Sequence, residues 1–256
     1  MNVLHRILNS FRQPADSPLL EDLKREGIVL LPAHFSAAQV AAFRDEIDRW
    51  YEHKPDLLWT DAQSSDQRLF GIERFSEVIR HGFYEDGFVA ETGYRYMHSR
   101  RETGFVLAGR IRFIEGNVGS GGGWHRDSAT RPQFKALLYL SDVDESNGPF
   151  EYLAGSHLKQ AIRQAAREVD PAFGPARIPD AAVAALERRL APGTRRTVTG
   201  PAGSLVLVDT RGVHRGAPLK AGMRYALTRY GWYGGSSIPA HIRARMDGKD
   251  RSQAMI

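Results

Sequence analysis

"FVLAGRIRFIEGNVGSGGGWHRD", residues 105–127, opens as an extended apolar run, passes through a glycine-rich turn, and ends on a tryptophan followed by a histidine and an aspartate two positions apart. The run marks a change of texture in the chain. From Phe105 onward short β-like segments follow one another: "FKALLYLS" (134–141), "FEYLAGS" (150–156), "RRTVTG" (195–200), "GSLVLVD" (203–209) and "RYALTRYGWY" (224–233), punctuated by Gly, Pro and Asn. Many short strands at this spacing predict a mainly β fold with flanking helices (α+β). Its core, about 105–235, would be a sandwich or a jelly-roll barrel, the latter a double-stranded β-helix of the cupin-like kind.

The chain before Phe105 reads as a helical part, about 1–104. "SPLLEDLKREG" (17–27) has Ser17 as N-cap, Pro18 in the first turn and Gly27 as the stop, and a buried strand, "IVLLP", follows it. "SAAQVAAFRDEIDRWYEH" (36–53) carries a Ser-x-x-Gln capping pattern and a stripe of Val40, Phe43, Ile47, Trp50 and Tyr51, aromatics that read as core. Residues 54–105 give mixed signals, with a further helix expected around "IERFSEVIRHGFYEDGFVAETGYRYMHS" (72–99). Within the β-like part, "LKQAIRQAAREVD" and "PDAAVAALERRL" make a helical insertion over about 158–193, a candidate lid carrying Arg163, Arg167, Arg188 and Arg189. The whole, 1–256, reads as one decorated domain, since 42% hydrophobic and 25% charged residues suit one sizeable core.

Composition removes several chemistries. There is no cysteine, which excludes disulfides, thiolate-held zinc, iron–sulfur clusters and a thiol nucleophile, so a metal here must be held by nitrogen and oxygen. The N-terminal "MNVLHRILNSFRQ" is amphipathic without the continuous apolar core of a signal peptide, and runs such as "IVLL" and "LVLV" are too short to span a bilayer. A cytoplasmic protein is the expectation. The net charge of +5 permits anionic partners, but the positive residues are scattered, and nucleic acid is disfavoured for want of a basic stripe with interleaved aromatics.

His125 and Asp127 share one side of an extended segment and can supply two ligands to a two-histidine, one-carboxylate iron site. His-x-Asp alone is weak, because nine histidines and sixteen aspartates make a chance pair unsurprising. The best third ligand is His214 in "LVLVDTRGVHRGAP", and Arg224, ten residues on, could hold a distal carboxylate bidentately. Plainer readings stand beside these: a loop histidine, Asp127 as a turn cap beside Ser128, Arg224 as a surface strand residue. Competing motifs fail. "HRD" has Pro132 where a kinase catalytic loop has Asn, and "GSGGGW" lacks the last glycine of a dinucleotide loop.

Taken together, "WHRD" (124–127), "LLYLSDVDESNGPFEYLAGSH" (137–157), "GSLVLVDTRGVHRGAP" (203–218), "MRYALTRYGW" (223–232) and the opening "LKREGIVLLPAHFSAAQVAAFRDEI" (23–47) give the chain its likeness to a known family. It resembles the phytanoyl-CoA dioxygenase family of iron(II)- and 2-oxoglutarate-dependent oxygenases, over most of its length. The resemblance implies that His125, Asp127 and His214 bind Fe(II), that Arg224 anchors the far carboxylate of 2-oxoglutarate, and that Asn147, Gly148 and His157 are structural. It implies a hydroxylase that takes molecular oxygen and a small-molecule substrate and releases succinate and CO2. Asp127 itself argues for hydroxylation, since related halogenating enzymes carry Gly or Ala there. One departure is Gly216, where family members often carry a hydroxyl residue.

Further positions are weaker candidates. Arg110 and Arg112 share one face of their strand, and if that face points inward Arg112 would bind co-substrate or an anionic substrate. Lys135, with Gln133 on the same parity, could reach co-substrate or substrate, and Tyr139 could equally be core. Two readings from other classes remain: a jelly-roll binding protein without turnover, and a nucleic-acid demethylase of the same chemistry. Neither the prime substrate nor the oligomeric state is legible.

Overall fold

The structure is a computed structural model that describes residues 17–127, 133–158, 160–161, 177–190 and 193–250. Helix α1 (Pro18–Glu26) begins where Ser17 Oγ accepts from Leu20 N at 3.3 Å and ends at Gly27, whose φ of 79° is left-handed. Only glycine suits that position. A Cβ there would also stand 2.3 Å from the Tyr152 hydroxyl, so Gly27 lets the helix end lie directly on the β-core. Strand β1 (Ile28–Leu31) follows, then α2 (Ala37–His53), opened by the reciprocal Ser36–Gln39 capping box. Next come β2 (Leu58–Thr60), β3 (Asp66–Phe70), a π-helical stretch at Arg80–Tyr84 and α3 (Gly87–Met97).

The β-rich part contains β4 (Glu102–Arg112), β5 (Gln133–Tyr139), β6 (Phe150–Leu153), α4 (Asp180–Arg189), β7 (Arg195–Val198), β8 (Leu205–Asp209), β9 (His214–Gly216) and β10 (Met223–Tyr233), and α5 (Ala240–Met246) closes it. Seven strands form one antiparallel sheet in the order β1-β8-β5-β10-β4-β3-β2, and three form a smaller one, β7-β6-β9. This is the jelly-roll core with flanking helices.

Alternation along each strand separates two environments. Val106 and Ala108 of β4, Phe134, Ala136 and Leu138 of β5, and Leu205 and Leu207 of β8 pack against Leu20, Leu23, Phe43, Ile47 and Val89 of the helices. The opposite parity, with Tyr139, Val206 and Val208, meets Phe150 and Tyr152 of the small sheet. Residues of this second parity line the space between the sheets.

Two expectations need correction. The part before Phe105 is not purely helical: β2 and β3 extend the large sheet, with Arg68 opposite Gly109 and Asp66 opposite Ile111. The polar letters at the start of β3 hid it, because Asp66 and Arg68 are buried as an ion pair, and β2 is only three residues long, too short to show alternation. Arg110 and Arg112 also face away from the interior, on the helix-side parity of Val106 and Ala108. Arg110 Nε and Nη2 donate to Gln67 Oε1, its Nη1 donates to Asp48, and Arg112 is exposed with Nε on Ser64 O at 3.1 Å. Arg112 is therefore not on the wall of the cavity beside His125 and His214, and its orientation does not support the expected co-substrate contact. Of the insertion, residues 158, 160–161, 177–190 and 193 are described; Arg163 and Arg167 lie outside the described residues. Among the described residues, no helix is long and apolar enough to cross a membrane.

Candidate metal centre and co-substrate pocket

His125 and His214 lie across a two-way backbone bridge, His125 N donating to His214 O at 2.9 Å and His214 N to His125 O at 3.0 Å. Asp127 N donates to Thr210 O at 3.1 Å, so the "HRD" segment is zipped to the segment preceding β9. Period-two geometry then turns both side chains of "HRD" toward His214. Gly121 makes room for this: its φ is +87°, and a Cβ there would stand 2.7 Å from His125 Cε1.

Each imidazole is oriented by a carbonyl two residues back. His125 Nδ1 lies 2.8 Å from Gly123 O, and His214 Nδ1 lies 2.9 Å from Gly212 O. A carbonyl can only accept, so the proton sits on Nδ1 and each Nε2 offers a lone pair. His125 Nε2 is 3.7 Å from Asp127 Oδ1, and His214 Nε2 is 3.7 Å from Asp127 Oδ2. Ligand atoms of all three lie within 4.8 Å of one another.

The electrostatics keep these donors deprotonated. Burial, with His125 beside it, pushes His214 down to about 3 against the pull of Asp127. Burial also lowers His125. For Asp127 burial acts upward, but the Lys135 ammonium in contact with it outweighs burial and holds the carboxyl well below its usual range. Two neutral imidazoles and one carboxylate are the donor set of a two-histidine, one-carboxylate iron site.

A cavity of about 100 Å³ extends from the two histidines between the sheets, and its wall includes Lys135, Arg68 and Arg224. Arg224 is 6% exposed, and its Nε and Nη1 have no hydrogen-bond partner. A buried guanidinium with two unpartnered nitrogens is costly, and a carboxylate entering the cavity offsets that cost. Lys135, 7% exposed, lies with Nζ against Asp127 Oδ2 and 4.0 Å from the centre of the Tyr230 ring.

Other sequence candidates are placed differently. Gln133 accepts from Thr210 Oγ1 at 3.0 Å, and Tyr139 is core, its hydroxyl donating to Val198 O at 2.9 Å. His157 Nε2 meets Lys24 O at 3.0 Å, and Asn147 shapes the turn before the left-handed Gly148. Sequence reasoning missed Asp66, Arg68 and Ser120. Arg68 Nη2 donates to Asp66 at 2.5 Å and to Ser120 Oγ at 3.1 Å, and all three line the cavity. The i,i+2 spacing of Asp66 and Arg68 was the signal available. Ser120 bears on the glycine at 216, because a Cβ on Gly216 would stand 2.8 Å from Ser120 Cβ. The missing side chain is the space that Ser120 fills.

A jelly-roll whose strand ends bring two imidazoles and a carboxylate beside a pocket with an unpaired guanidinium defines the class of mononuclear non-haem iron oxygenases. The signature of phytanoyl-CoA dioxygenase (PhyH) matches residues 23–224, and the chain belongs to that family of iron- and 2-oxoglutarate-dependent oxygenases. It is similar to the ectoine dioxygenase of Stutzerimonas stutzeri (strain A1501), with 25% identity over 232 residues, 78% of this chain and 71% of the relative. Among solved structures it is similar to the epimerase SnoN in complex with Fe3+, alpha ketoglutarate and nogalamycin RO (TM-score 0.63, 20% identity, 84% of this chain and 82% of that one). HygX from Streptomyces hygroscopicus with nickel and 2-oxoglutarate bound is a further structural neighbour (TM-score 0.53, 19% identity, 84% and 86%). The residues of this chain fit both groups: oriented lone pairs suit iron, and the unpartnered Arg224 suits a carboxylate.

Proposed function

We propose that this protein is a hydroxylase of an unactivated C–H bond in a small-molecule substrate, with His125, Asp127 and His214 holding iron(II) and Arg224 holding the distal carboxylate of 2-oxoglutarate. The observation that carries the reading is the convergence of the three donors within 4.8 Å beside a buried, unpartnered Arg224. Bound iron and 2-oxoglutarate supply the oxidising chemistry, with molecular oxygen consumed and succinate and CO2 released. The protein's part is geometric. Gly123 O and Gly212 O aim the imidazoles, the apolar wall of Leu107, Leu137 and Val208 excludes water, and Arg224 fixes one end of the co-substrate.

A small-molecule substrate is supported by the relatives, whose names refer to ectoine and nogalamycin. The reading takes 1–256 as one catalytic domain. A non-catalytic binder is disfavoured because all three donors are present and deprotonated. The insertion stays a candidate lid: Ile178, Val183 and Leu186 pack on Trp124 and Val213, the residues immediately before the two histidines. The test is 2-oxoglutarate decarboxylation by iron-loaded protein on exposure to oxygen, wild type against His214→Ala. Slow succinate release that falls at least a hundredfold in the variant is expected. Equal release from both proteins would overturn the ligand assignment.

A further inference from the structure

Lys135 has a counter-ion that the metal must share. Its ammonium is buried on β5, capped by the Tyr230 ring and in contact with Asp127 Oδ2, the same carboxylate that faces His125 and His214. The other charges on the cavity wall are arranged differently. Arg68 is paired with Asp66 through bonds of 3.0 and 2.5 Å, and Arg224 presents unpartnered nitrogens at another point of the wall. A divalent ion on Asp127 draws the carboxylate's charge toward itself and leaves Lys135 buried beside like charge. A buried ammonium deprived of its partner is strongly unfavourable. Lys135 lines the cavity beside the two histidines, so a ligand entering there can supply the missing charge.

We propose that Lys135 is a carboxylate-binding group of the metal-loaded site, released from Asp127 by the metal and then occupied by a carboxylate lying at the metal's open face. This rests on the oxygenase reading above and adds to it a second anionic subsite, distinct from Arg224. The carboxylate comes from one of two sources, the metal-proximal end of 2-oxoglutarate or the prime substrate, and the chemistry that Lys135 recognises is the same.

The experiment compares wild type, Lys135→Arg and Lys135→Met, all checked for folding by circular dichroism; should Lys135→Met not fold, Lys135→Gln carries the same comparison. Calorimetry with Mn(II) alone comes first. Removing the competing cation is expected to tighten Mn(II) binding severalfold in Lys135→Met and leave Lys135→Arg near wild type. Mn(II)-loaded proteins are then titrated with 2-oxoglutarate. A Kd at least tenfold weaker in Lys135→Met, restored by Lys135→Arg, assigns the carboxylate to 2-oxoglutarate. If that Kd moves less than twofold, acetate is added to the 2-oxoglutarate-saturated proteins and its methyl proton linewidth is read. Broadening by the Mn(II) in wild type that disappears in Lys135→Met assigns the subsite to a second, substrate carboxylate. Unchanged 2-oxoglutarate Kd together with identical acetate linewidths overturns the proposal. Wild type that binds Mn(II) but not 2-oxoglutarate would instead overturn the oxygenase reading, and the two failures are thus distinguishable.

Discussion

Arg224 shows how much one side chain carries in this pocket. Its guanidinium is buried, its Nε and Nη1 lack partners, and burial lowers its pKa. Few arrangements repay that arrangement except a carboxylate seated on it. Replacing Arg224 with Met removes the charge and keeps much of the volume, and the 2-oxoglutarate KM is expected to rise tenfold or more, from the loss of one bidentate pair, while Mn(II) affinity stays within about twofold. Unchanged KM would mean that the co-substrate lies elsewhere. The spacing of His125 and Asp127, the position of His214 after a buried strand, and Arg224 at the head of the last one are all legible in the residues themselves. Lys135 was visible as a candidate, but its partner was not, because Asp127 sits eight residues away and meets it only when β5 lies beside the "HRD" segment.

At the scale of the element, parity decides which side chains see the cavity. Two arginines on "AGRIRFIE" share a face, and nothing in the strand itself says which way that face points. The direction comes from neighbours: Tyr225 and Leu227 of β10 pack toward the helices with Val106 and Ala108, so Arg224 opposite Ile111 takes the cavity side and Arg110 and Arg112 take the other. Arg112→Ala should therefore leave the 2-oxoglutarate KM within about twofold of wild type, since an exposed arginine on a single loop carbonyl contributes little. A tenfold change in that assay would put the face assignment in error. The caps of α1 and α2 were legible because an N-cap serine and a stop glycine act within one turn of chain. Strand β3 was not, since its buried Asp66–Arg68 pair leaves no apolar alternation to read, and β2 was not because it is three residues long.

Across the whole molecule, two buried groups titrate in opposite senses. His214 falls from 6.5 to about 3 on burial, so the unfolded chain binds more protons between those values and stability declines as pH drops through that window. Glu73, buried with Oε2 accepting from Val106 N at 2.8 Å, rises from 4.5 to about 7, so there the native state binds more protons and stability is lost as pH rises through the window. Glu73→Gln keeps the acceptor and removes the titration. It should stabilise the fold at pH 8, by up to ~3 kcal/mol for a shift of that size, and approach wild type below pH 4.5, as read by urea unfolding at both pH values. A difference between the two proteins that does not vary with pH would rule out Glu73 as its source. The sequence by itself determined the run of short strands, the capped helices and the absence of thiol chemistry, since these depend on residue type and local spacing, while His125, Asp127, His214 and Arg224 were singled out together only by the family resemblance. Only the tertiary structure decided that β2 and β3 belong to the sheet, that Arg112 faces out, and that Lys135, Arg68 and Ser120 enter the site. Those outcomes depend on which strand lies beside which, and strand pairing is set by long-range packing of the two sheets and the helices rather than by any short stretch of chain.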